Sequence, residues 1–532
     1  MTIWRAAILG LMLAAAASAA GKAEAATPGN GRAAFQIVET TVDDVHAAYR
    51  AGRLTAHQLV QNYLDRIAAY DKKGPNINSI ITLNPSALAD ADRLDAAFKN
   101  SGFTGALHGI PVLVKDEIDV AGLPTTMGSL IFKDYRPAKD AVVVERLRQA
   151  GAIILGKTTL SEFAIGDTYG SMFGVTRNPY DLERTAGGSS GGSGAALAAN
   201  FATLALGEET LASIRRPGGW NALVTMRPTS GLVSRSGMWD GYPTDFATMG
   251  PMARTVRDLA RLLDVMVAYD PEDPQTALGV GHKPASYTQA LTRDGLKGAR
   301  IGVLREPIGF MSEPGSEDFK KVDDVFQKNI AELKAAGATI VDPIVIPDLN
   351  ILLAKKAVDP SASDEALRLY LARNPGGAFK TRADIAKSPL VEQAFPANKR
   401  SLWTVPFQPT DAGKFGEYLK ARNQLMSNLL KVMADNRLDA IVHKTVEHQP
   451  TRIADGIAPP FVSQKGIPSI NTFLVFVSTM TVPSGFTADR LPVGITFLGR
   501  PYSEAVLLRL AFAYEQATHH RLPPDTTPPL NR

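Results

Sequence analysis

The sequence predicts an α/β protein in which one large sheet is covered by helices on both faces. Apolar runs at 110–114, 152–155 and 202–206 are too continuous for strands with one face in water, so we expect buried strands. Helical patterns at 140–151 and 195–199 lie between these runs. Strands that alternate with helices in this order are typical of a sheet packed against helices on both sides.

The start of the chain has the composition of a secretory signal peptide. Arg5 provides a positive charge ahead of an apolar stretch of 12 residues at 6–17. Two A-x-A cleavage sites follow, and they end at Ala19 and Ala25. The apolar stretch is too short for a permanent membrane anchor. We therefore expect a signal peptide at 1–25 and a secreted or periplasmic protein that has no membrane contact after cleavage.

The remainder of the chain is predicted to form a single domain. Residues 26–36 are small and polar and are expected to be a flexible start, and residues 55–58 fit the capping box of a helix. No linker or internal repeat interrupts the stretch 37–532. Residues 350–450 are less regular and carry few chemical cues. Further elements are expected as a strand at 296–304, a helix at 319–336, a strand at 491–495 and a helix at 503–516.

Composition and charge exclude several classes of function. Hydrophobic residues make up 45% and charged residues 21% of the 532 residues, which is ordinary for a globular protein. A net charge of +4 without any Lys/Arg block gives no basis for nucleic-acid binding. The sequence has no cysteine, which excludes disulfides, thiol catalysis and cysteine-bound zinc. The histidines, among them His443, His448, His519 and His520, lack metal-ligand spacing, so we expect no metal and no cofactor.

Three residues have the types needed for a proton relay that uses no histidine. Lys115 ends the apolar run at 110–114, where loss of hydration is expected to lower its pKa and make it a base. Ser189 lies in a glycine-rich loop whose backbone lets groups approach closely, and Ser213 follows the run at 202–206. In such a relay the lysine takes a proton, the first serine passes it on and the second serine attacks.

A sharp turn is expected before Ser213. Such a turn would point several backbone N–H groups toward the oxyanion that forms when this serine attacks a carbonyl. Pro217 suits the first turn of the helix that follows. The predicted oxyanion donors are the amide groups of Thr210, Leu211, Ala212 and Ser213.

Two other motifs in the same region point to different chemistry. Residues 151–158 match the G-x-x-x-x-G-K-[ST] phosphate loop, but four apolar residues inside it predict a strand and not a phosphate cradle. Residues 188–192 match the G-x-S-x-G elbow, with Ser190 as nucleophile. That elbow needs a strand before it and an acid and a histidine after it, and residues 180–185 are a poor strand. A histidine-dependent hydrolase stays open as an alternative.

The serine and lysine segments resemble the amidase signature family of serine hydrolases. The family's G-G-S-S-G-G loop occurs here at 187–192, and the S-I-R that ends its second serine motif occurs at 213–215. Its lysine motif, G-[IV]-P-x-x-[VI]-K-D, is matched at 109–116. Further matches lie at 156–164, 177–179, 250–256 and 491–494. The resemblance covers roughly residues 40–270 and 465–520.

The resemblance implies both a fold and a chemistry. The fold is a large twisted mixed β-sheet flanked by helices, and the activity is cleavage of a C–N amide-type bond through an acyl-enzyme. Ser213 is the implied nucleophile, Ser189 the bridging serine, often joined through a cis peptide bond, and Lys115 the base. The implied substrate is a small-molecule amide, peptide amide, aryl amide or carbamate, and the implied protein is a monomer or homodimer. The residues expected to line the substrate pocket are Glu162, Ser190 and Arg215.

The sequence departs from the family pattern just before Ser213. Glu208 stands where threonine or serine is usual, and Glu209 where aspartate is usual. Leu211 and Ala212 replace two glycines, and leucine disfavours positive φ, so we expect a change in the shape or substrate reach of the oxyanion loop. These changes leave open a non-catalytic binding protein on the same scaffold. The transamidation subunit that shares the fold works in a cytoplasmic complex, and the predicted signal peptide argues against that role.

Overall fold

The computed structural model describes residues 35–530, apart from residues 245, 358, 405–410 and 475. Residues Gln36–Arg532 form one compact unit. The predicted signal peptide at 1–25 lies outside the described residues, and so does the predicted flexible segment up to residue 34. Within the described part of the chain, no helix has the length and apolar character needed to cross a membrane.

The strands and helices have the following bounds. The strands are β1 (Ile80–Leu83), β2 (Pro111–Lys115), β3 (Ile153–Thr158), β4 (Tyr169–Gly170), β5 (Gly174–Val175), β6 (Arg177–Asn178), β7 (Asp181–Thr185), β8 (Leu204–Glu209), β9 (Val224–Arg227), β10 (Thr248–Ala253), β11 (Arg300–Leu304), β12 (Thr339–Ile344), β13 (Ala440–Lys444), β14 (Thr479–Phe486) and β15 (Pro492–Leu498). The α-helices are α1 (Val42–Arg50), α2 (Ala56–Tyr70), α3 (Ala87–Ser101), α4 (Val142–Gln149), α5 (Gly191–Ala198), α6 (Arg215–Trp220), α7 (Val256–Met266), α8 (Glu317–Ala335), α9 (Leu349–Leu353), α10 (Pro360–Ala372), α11 (Arg382–Ala386), α12 (Ser401–Thr404), α13 (Ala412–Asp435), α14 (Ile453–Ile457) and α15 (Glu504–Thr518).

The strands build one sheet of 11 strands in the order β1-β3-β2-β8-β10-β9-β14-β15-β13-β11-β12. β2 is parallel to both β3 and β8, and β11 is parallel to both β12 and β13. The other neighbours are antiparallel, so the sheet is mixed. Helices flank it, which confirms the predicted fold class.

Most elements that the apolar runs predicted are present. The runs at 110–114, 152–155 and 202–206 fall in β2, β3 and β8, whose residues are all buried. The capping box at Thr55 is formed at the start of α2. β3 is a buried strand through Thr158, so the residues at 151–158 match the phosphate-loop motif in sequence but do not form a phosphate-binding loop.

The stretch 350–450 holds more structure than its pattern indicated. It contains α10, the 24-residue helix α13, and β13, which pairs with β11 and β15. In α13, Leu425, Leu429 and Val432 are buried in a hydrophobic cluster with residues of the neighbouring strands. Their spacing of three or four residues was a readable helix signal that the polar residues between them obscured.

The parallel pairing of β2 with β8 positions the candidate site. Carboxyl ends of parallel strands meet at the same edge of a sheet, which is where sites form in α/β proteins. The ends of these two strands are Lys115 on β2 and Glu208 and Glu209 on β8. The helices α5 and α6 begin close to the same edge.

Candidate active site

Two loops meet at this edge and carry the predicted serines. Ser189 lies just before α5, and Ser213 lies in the turn between β8 and α6. The amide N–H of Ser190 donates a hydrogen bond to the carbonyl oxygen of Ser213 at 3.0 Å. The structure therefore joins the two serine loops beside the end of β2.

Lys115 is fully buried at the end of β2, and four oxygen atoms surround its ammonium group. Its Nζ donates hydrogen bonds to Ser189 Oγ at 2.5 Å, to Glu208 Oε2 at 2.8 Å and to the carbonyl oxygen of Glu208 at 3.3 Å. Glu117 Oε1 lies 2.6 Å from the same nitrogen in an ion pair. The structure thus brings Lys115 and Ser189 into contact and adds two carboxylates that the sequence prediction did not contain.

The expectation that Lys115 has a lowered pKa is wrong. Burial lowers the pKa of this amine, but the carboxylates of Glu117 and Glu208 raise it by more, so that the pKa lies above the ordinary lysine value. A cation held between two anions is favoured in its charged form. Lys115 therefore rests as an ammonium ion, which has no lone pair to offer Ser189.

Glu117 and Glu208 reach Lys115 from different parts of the chain. Glu117 lies just beyond the end of β2, where burial raises the pKa of its carboxyl well above the usual range. The positive charge of Lys115 opposes that rise, and the negative charge of Glu208 adds to it. The sequence held a signal for Glu208, since it replaces the hydroxyl residue usual in the resembled family. For Glu117 the only signal was its closeness to Lys115 in the chain.

Arg216 fixes the loop that carries Ser189. Its guanidinium donates to the carbonyl oxygen of Gly188 at 2.8 and 3.0 Å and to that of Gly166 at 2.8 Å. It also pairs with Asp167 at 2.8 Å. The peptide bond between Gly188 and Ser189 is cis, as the resemblance implied. A Cβ at Gly188 would lie 2.2 Å from the Gly166 carbonyl oxygen, so only glycine fits this close approach.

Ser213 is half-buried and lines a cavity. Among the described residues, none accepts a hydrogen bond from the amide N–H groups of Leu211, Ala212 or Ser213. These donors are therefore available to a ligand oxygen. Neither Leu211 nor Ala212 has a positive φ, so the turn does not need the glycines that the resembled family has there. The hydroxyl of Thr210 donates to Glu208 Oε1 at 2.9 Å.

Glu209 and Arg215 brace the turn around Ser213. Glu209 Oε2 accepts hydrogen bonds from the amide groups of Ile214 and Arg215 at 3.1 and 3.0 Å. Burial raises the pKa of Glu209, but Arg215 lowers it by more, so the carboxylate stays ionised. The expectation that Arg215 lines the substrate pocket is wrong, because its guanidinium is buried against Glu209, with Nε 2.9 Å from Oε1.

Glu162 and Ser190 also lie outside the cavity wall, which corrects their predicted role as pocket residues. The Glu162 carboxylate accepts hydrogen bonds from the amide groups of Ser171 at 3.0 Å and Phe395 at 2.9 Å. The Ser190 hydroxyl is fully buried and donates to the carbonyl oxygen of Glu208 at 3.1 Å. Both polar groups bind the backbone of neighbouring segments, so neither faces a substrate.

The arrangement of a histidine-dependent hydrolase is not found around Ser190. The stretch before it does form a strand, β7, contrary to the sequence expectation, but that strand pairs with β6 in a small separate sheet. No histidine of the described residues lines the cavity. The described part of the chain also has no group of His, Asp or Glu residues suited to hold a metal ion.

The cavity beside Ser213 has a volume of about 690 Å³. Glu117 and Glu208 lie in its wall together with Ser213, and five other residues of the wall are aromatic. Rings of Phe163 and Trp403 pack edge to face with centroids 4.7 Å apart. The stretch 350–450, for which the sequence gave no role, supplies part of this wall. The aromatic residues of the wall are Phe163, Trp239, Phe246, Trp403 and Tyr418.

Comparisons of sequence and structure identify known proteins to which this chain is similar. The sequence model of a family described as Amidase matches residues 58–508. A curated relative, a glutamyl-tRNA(Gln) amidotransferase subunit from Symbiobacterium thermophilum, is 35% identical over 90% of this chain and 97% of its own. The crystal structure of native peptide amidase from Stenotrophomonas maltophilia is 33% identical, covers 92% of this chain and 99% of its own, and has a TM-score of 0.80. An amidase family protein from Bacillus anthracis is 28% identical over 92% of this chain and 93% of its own, with a TM-score of 0.78.

Proposed function

Because this chain belongs to the amidase signature family and is an amidohydrolase that cleaves amide bonds, we propose that Ser213 is its nucleophile and that Ser189 and Lys115 carry the proton. One observation carries the proposal: Lys115 Nζ lies 2.5 Å from Ser189 Oγ, next to a cavity that Ser213 lines. Family membership and the presence of all three residues favour an enzyme over a non-catalytic binding protein.

The proposed reaction proceeds through an acyl-enzyme. Ser213 Oγ bonds to the carbonyl carbon while its proton passes to Ser189 Oγ, and Ser189 gives its own hydroxyl proton to the amine of Lys115. The carbonyl oxygen becomes an oxyanion, which the amide groups of Leu211 and Ala212 stabilise. The proton then returns to the leaving nitrogen, the C–N bond breaks, and water hydrolyses the ester on Ser213. Lys115 accepts a proton only after its ammonium group has lost one.

The cavity supports a substrate with a large apolar group beside the amide. Aromatic walls favour aromatic or aliphatic groups, and a volume of about 690 Å³ is in the range of sites for drug-sized ligands. Peptide amides, aryl amides and carbamates all meet this description. We place peptide amides first, because the similarity to peptide amidase extends over 92% of this chain. The protein is proposed to act as a monomer or homodimer.

A second candidate is amide hydrolysis as one component of an amidotransferase complex. The 35% identity to a protein named as an amidotransferase subunit favours it. A small polar amide such as the side chain of glutamine would leave much of a cavity of about 690 Å³ unfilled, so the aromatic walls favour the first candidate.

A substrate panel tests the proposed function. We expect the purified protein alone to release ammonia from peptide amides with a bulky apolar residue next to the amide, and to act less well on glutamine. The measurement is kcat/KM for peptide amides, anilides, carbamates, esters and free glutamine at one pH. Turnover of glutamine together with inactivity on every larger amide would favour the amidotransferase role instead.

We also propose that the protein is exported. The positive start, the apolar stretch at 6–17 and the A-x-A sites support cleavage after Ala19 or Ala25. Expression of the full chain in a Gram-negative host should give a shortened protein in the periplasmic or extracellular fraction, as read by N-terminal sequencing. A product that keeps Met1 and stays in the cytoplasm or the membrane would contradict export.

A further inference from the structure

We propose that Glu117, acting through Lys115, is the terminal acceptor of the proton that leaves Ser213. This inference rests on the proposed function, because it assigns the end of the same relay. The reason is that the last residue of the relay, Lys115, is already an ammonium ion. Lys115 can accept the proton of Ser189 only if another group takes one of the protons that the ammonium already carries.

The geometry provides such a group. Lys115 Nζ donates a hydrogen bond to Ser189 Oγ at 2.5 Å and forms an ion pair with Glu117 Oε1 at 2.6 Å. The side chains of Lys115, Glu117 and Glu208 are 0%, 1% and 3% exposed, so they have little contact with bulk water. The shortest path for a proton away from Ser189 therefore leads through Lys115 to a carboxylate.

The charges of the cluster favour uptake of a proton. One ammonium and two carboxylates leave an excess negative charge in a buried place, which is costly. Protonation of one carboxyl removes that excess. Both carboxylate oxygens of Glu208 accept hydrogen bonds, Oε2 from Lys115 at 2.8 Å and Oε1 from the Thr210 hydroxyl at 2.9 Å, whereas Glu117 Oε1 accepts none from the described residues. Glu117 is therefore the carboxyl that takes the proton, in agreement with the raised pKa of this group.

Two other carboxyl groups, those of Asp116 and Asp240, lie near this cluster and could affect the pH dependence of the reaction. Asp116, the residue between Lys115 and Glu117, pairs with Lys157 at 3.2 Å. Asp240 lies in the cavity wall, where burial and the charge of Glu208 raise its pKa to about 7. The titration of Asp240 therefore falls near neutral pH, and its effect on the pH profile must be separated from that of Glu117 by experiment.

The proton transfers balance as follows. The ammonium of Lys115 gives a proton to the carboxylate of Glu117, and the resulting amine takes the hydroxyl proton of Ser189. Ser189 Oγ in turn takes the proton of Ser213 as Ser213 bonds to the carbonyl carbon. When the C–N bond breaks, the same protons move back, and the leaving nitrogen receives one from Ser189. Lys115 is an ammonium ion before and after the step.

The Glu117→Gln variant distinguishes two mechanisms, one in which Glu117 is the final proton acceptor and one in which Lys115 is the only base, because they predict opposite changes in activity. If Glu117 is the acceptor, kcat/KM for a peptide amide falls by about 10²–10⁴-fold at the plateau of the wild-type profile, the usual worth of a general base. If Lys115 works alone, loss of an anion lowers the pKa of the lysine, and the same variant becomes faster near neutral pH. A faster Glu117→Gln enzyme would overturn the inference.

Two matched variants complete the test. Glu208→Gln keeps the acceptor and removes the like charge beside it, so its rise of activity with pH should move to lower pH with a much smaller loss of rate than in Glu117→Gln. Equal losses in both variants would contradict the assignment to Glu117. Asp240→Asn should retain the rise of activity with pH, and loss of that rise would assign it to Asp240.

If Glu117→Gln does not fold, the pH profile of Asp240→Asn decides the matter, because this variant keeps Glu117 and removes the second titrating carboxyl of the cavity wall. The surroundings of Lys115 hold its pKa above the ordinary lysine value, so a lone lysine base would place the rise of activity at or above about pH 10.4. A midpoint below that value in Asp240→Asn supports the carboxyl acceptor, and one at or above it overturns it. A wild-type enzyme that hydrolyses no amide and does not react with a fluorophosphonate probe would refute the proposed function itself, separately from this inference.

Discussion

Replacing Ser213 with alanine is expected to abolish covalent labelling by a fluorophosphonate probe. The same change should lower kcat for amide hydrolysis by on the order of 10⁶-fold, because loss of a nucleophile removes the acyl-enzyme route and leaves only binding and the oxyanion donors. Ser213 is half-buried in the cavity wall and its hydroxyl bonds to no described residue, so alanine should fit without damage to the fold. The measurements are probe labelling, kcat and thermal unfolding of both proteins.

The control for this variant is Ser190→Ala. Ser190 lies in the same pair of loops, but its hydroxyl is buried and donates to the Glu208 carbonyl oxygen at 3.1 Å. We expect this variant to lose some stability and still to carry the probe on Ser213. A probe adduct mapped by mass spectrometry to Ser190 in the wild-type protein would overturn the assignment of the nucleophile.

Replacing Lys115 should stop the relay at its centre. Lys115→Ala is expected to lower kcat by about 10²–10⁴-fold, since it removes the group that links Ser189 to the carboxylates. Lys115→Arg should not restore activity, because a guanidinium stays protonated at any working pH and can neither accept nor give up a proton. Near-normal amide hydrolysis with arginine at this position would be incompatible with the relay.

The alanine variant also leaves two buried carboxylates without their cation, and loss of one member of a buried ion pair costs about 3–5 kcal/mol. Lys157→Ala is the matched control. Lys157 is likewise a fully buried lysine near the end of a strand, and it pairs with Asp116 at 3.2 Å without contacting Ser189. It should lower the unfolding temperature comparably, yet keep most of its turnover per folded molecule. Equal losses of kcat in the two variants would show that the effect of Lys115 is structural.

Local patterns were sufficient for the fold class and for the buried strands β2, β3 and β8. The continuous apolar runs of β2, β3 and β8 leave no exposed face, which fixes them as buried strands. The glycine-rich loop before α5 is read correctly because only glycine permits the approach of Gly188 to the Gly166 carbonyl oxygen. The same local reasoning failed for Arg215, which lies next to Ser213 in the chain but turns its guanidinium inward to Glu209. A residue next to a nucleophile in the chain lies in the same loop, but its side chain can point away from the cavity.

The sequence by itself determined the fold class, the presence of the buried strands β2, β3 and β8, and the candidate relay of Lys115, Ser189 and Ser213. Only the tertiary structure decided the charge state of that relay and the walls of the cavity. A pKa depends on which charges come within a few ångströms, and the pairing of β2 with β8 places Glu208 2.8 Å from Lys115 although they are far apart in the chain. Trp403 lies in the cavity wall because it packs against residues that are far away in the chain, and such long-range packing has no local sequence pattern.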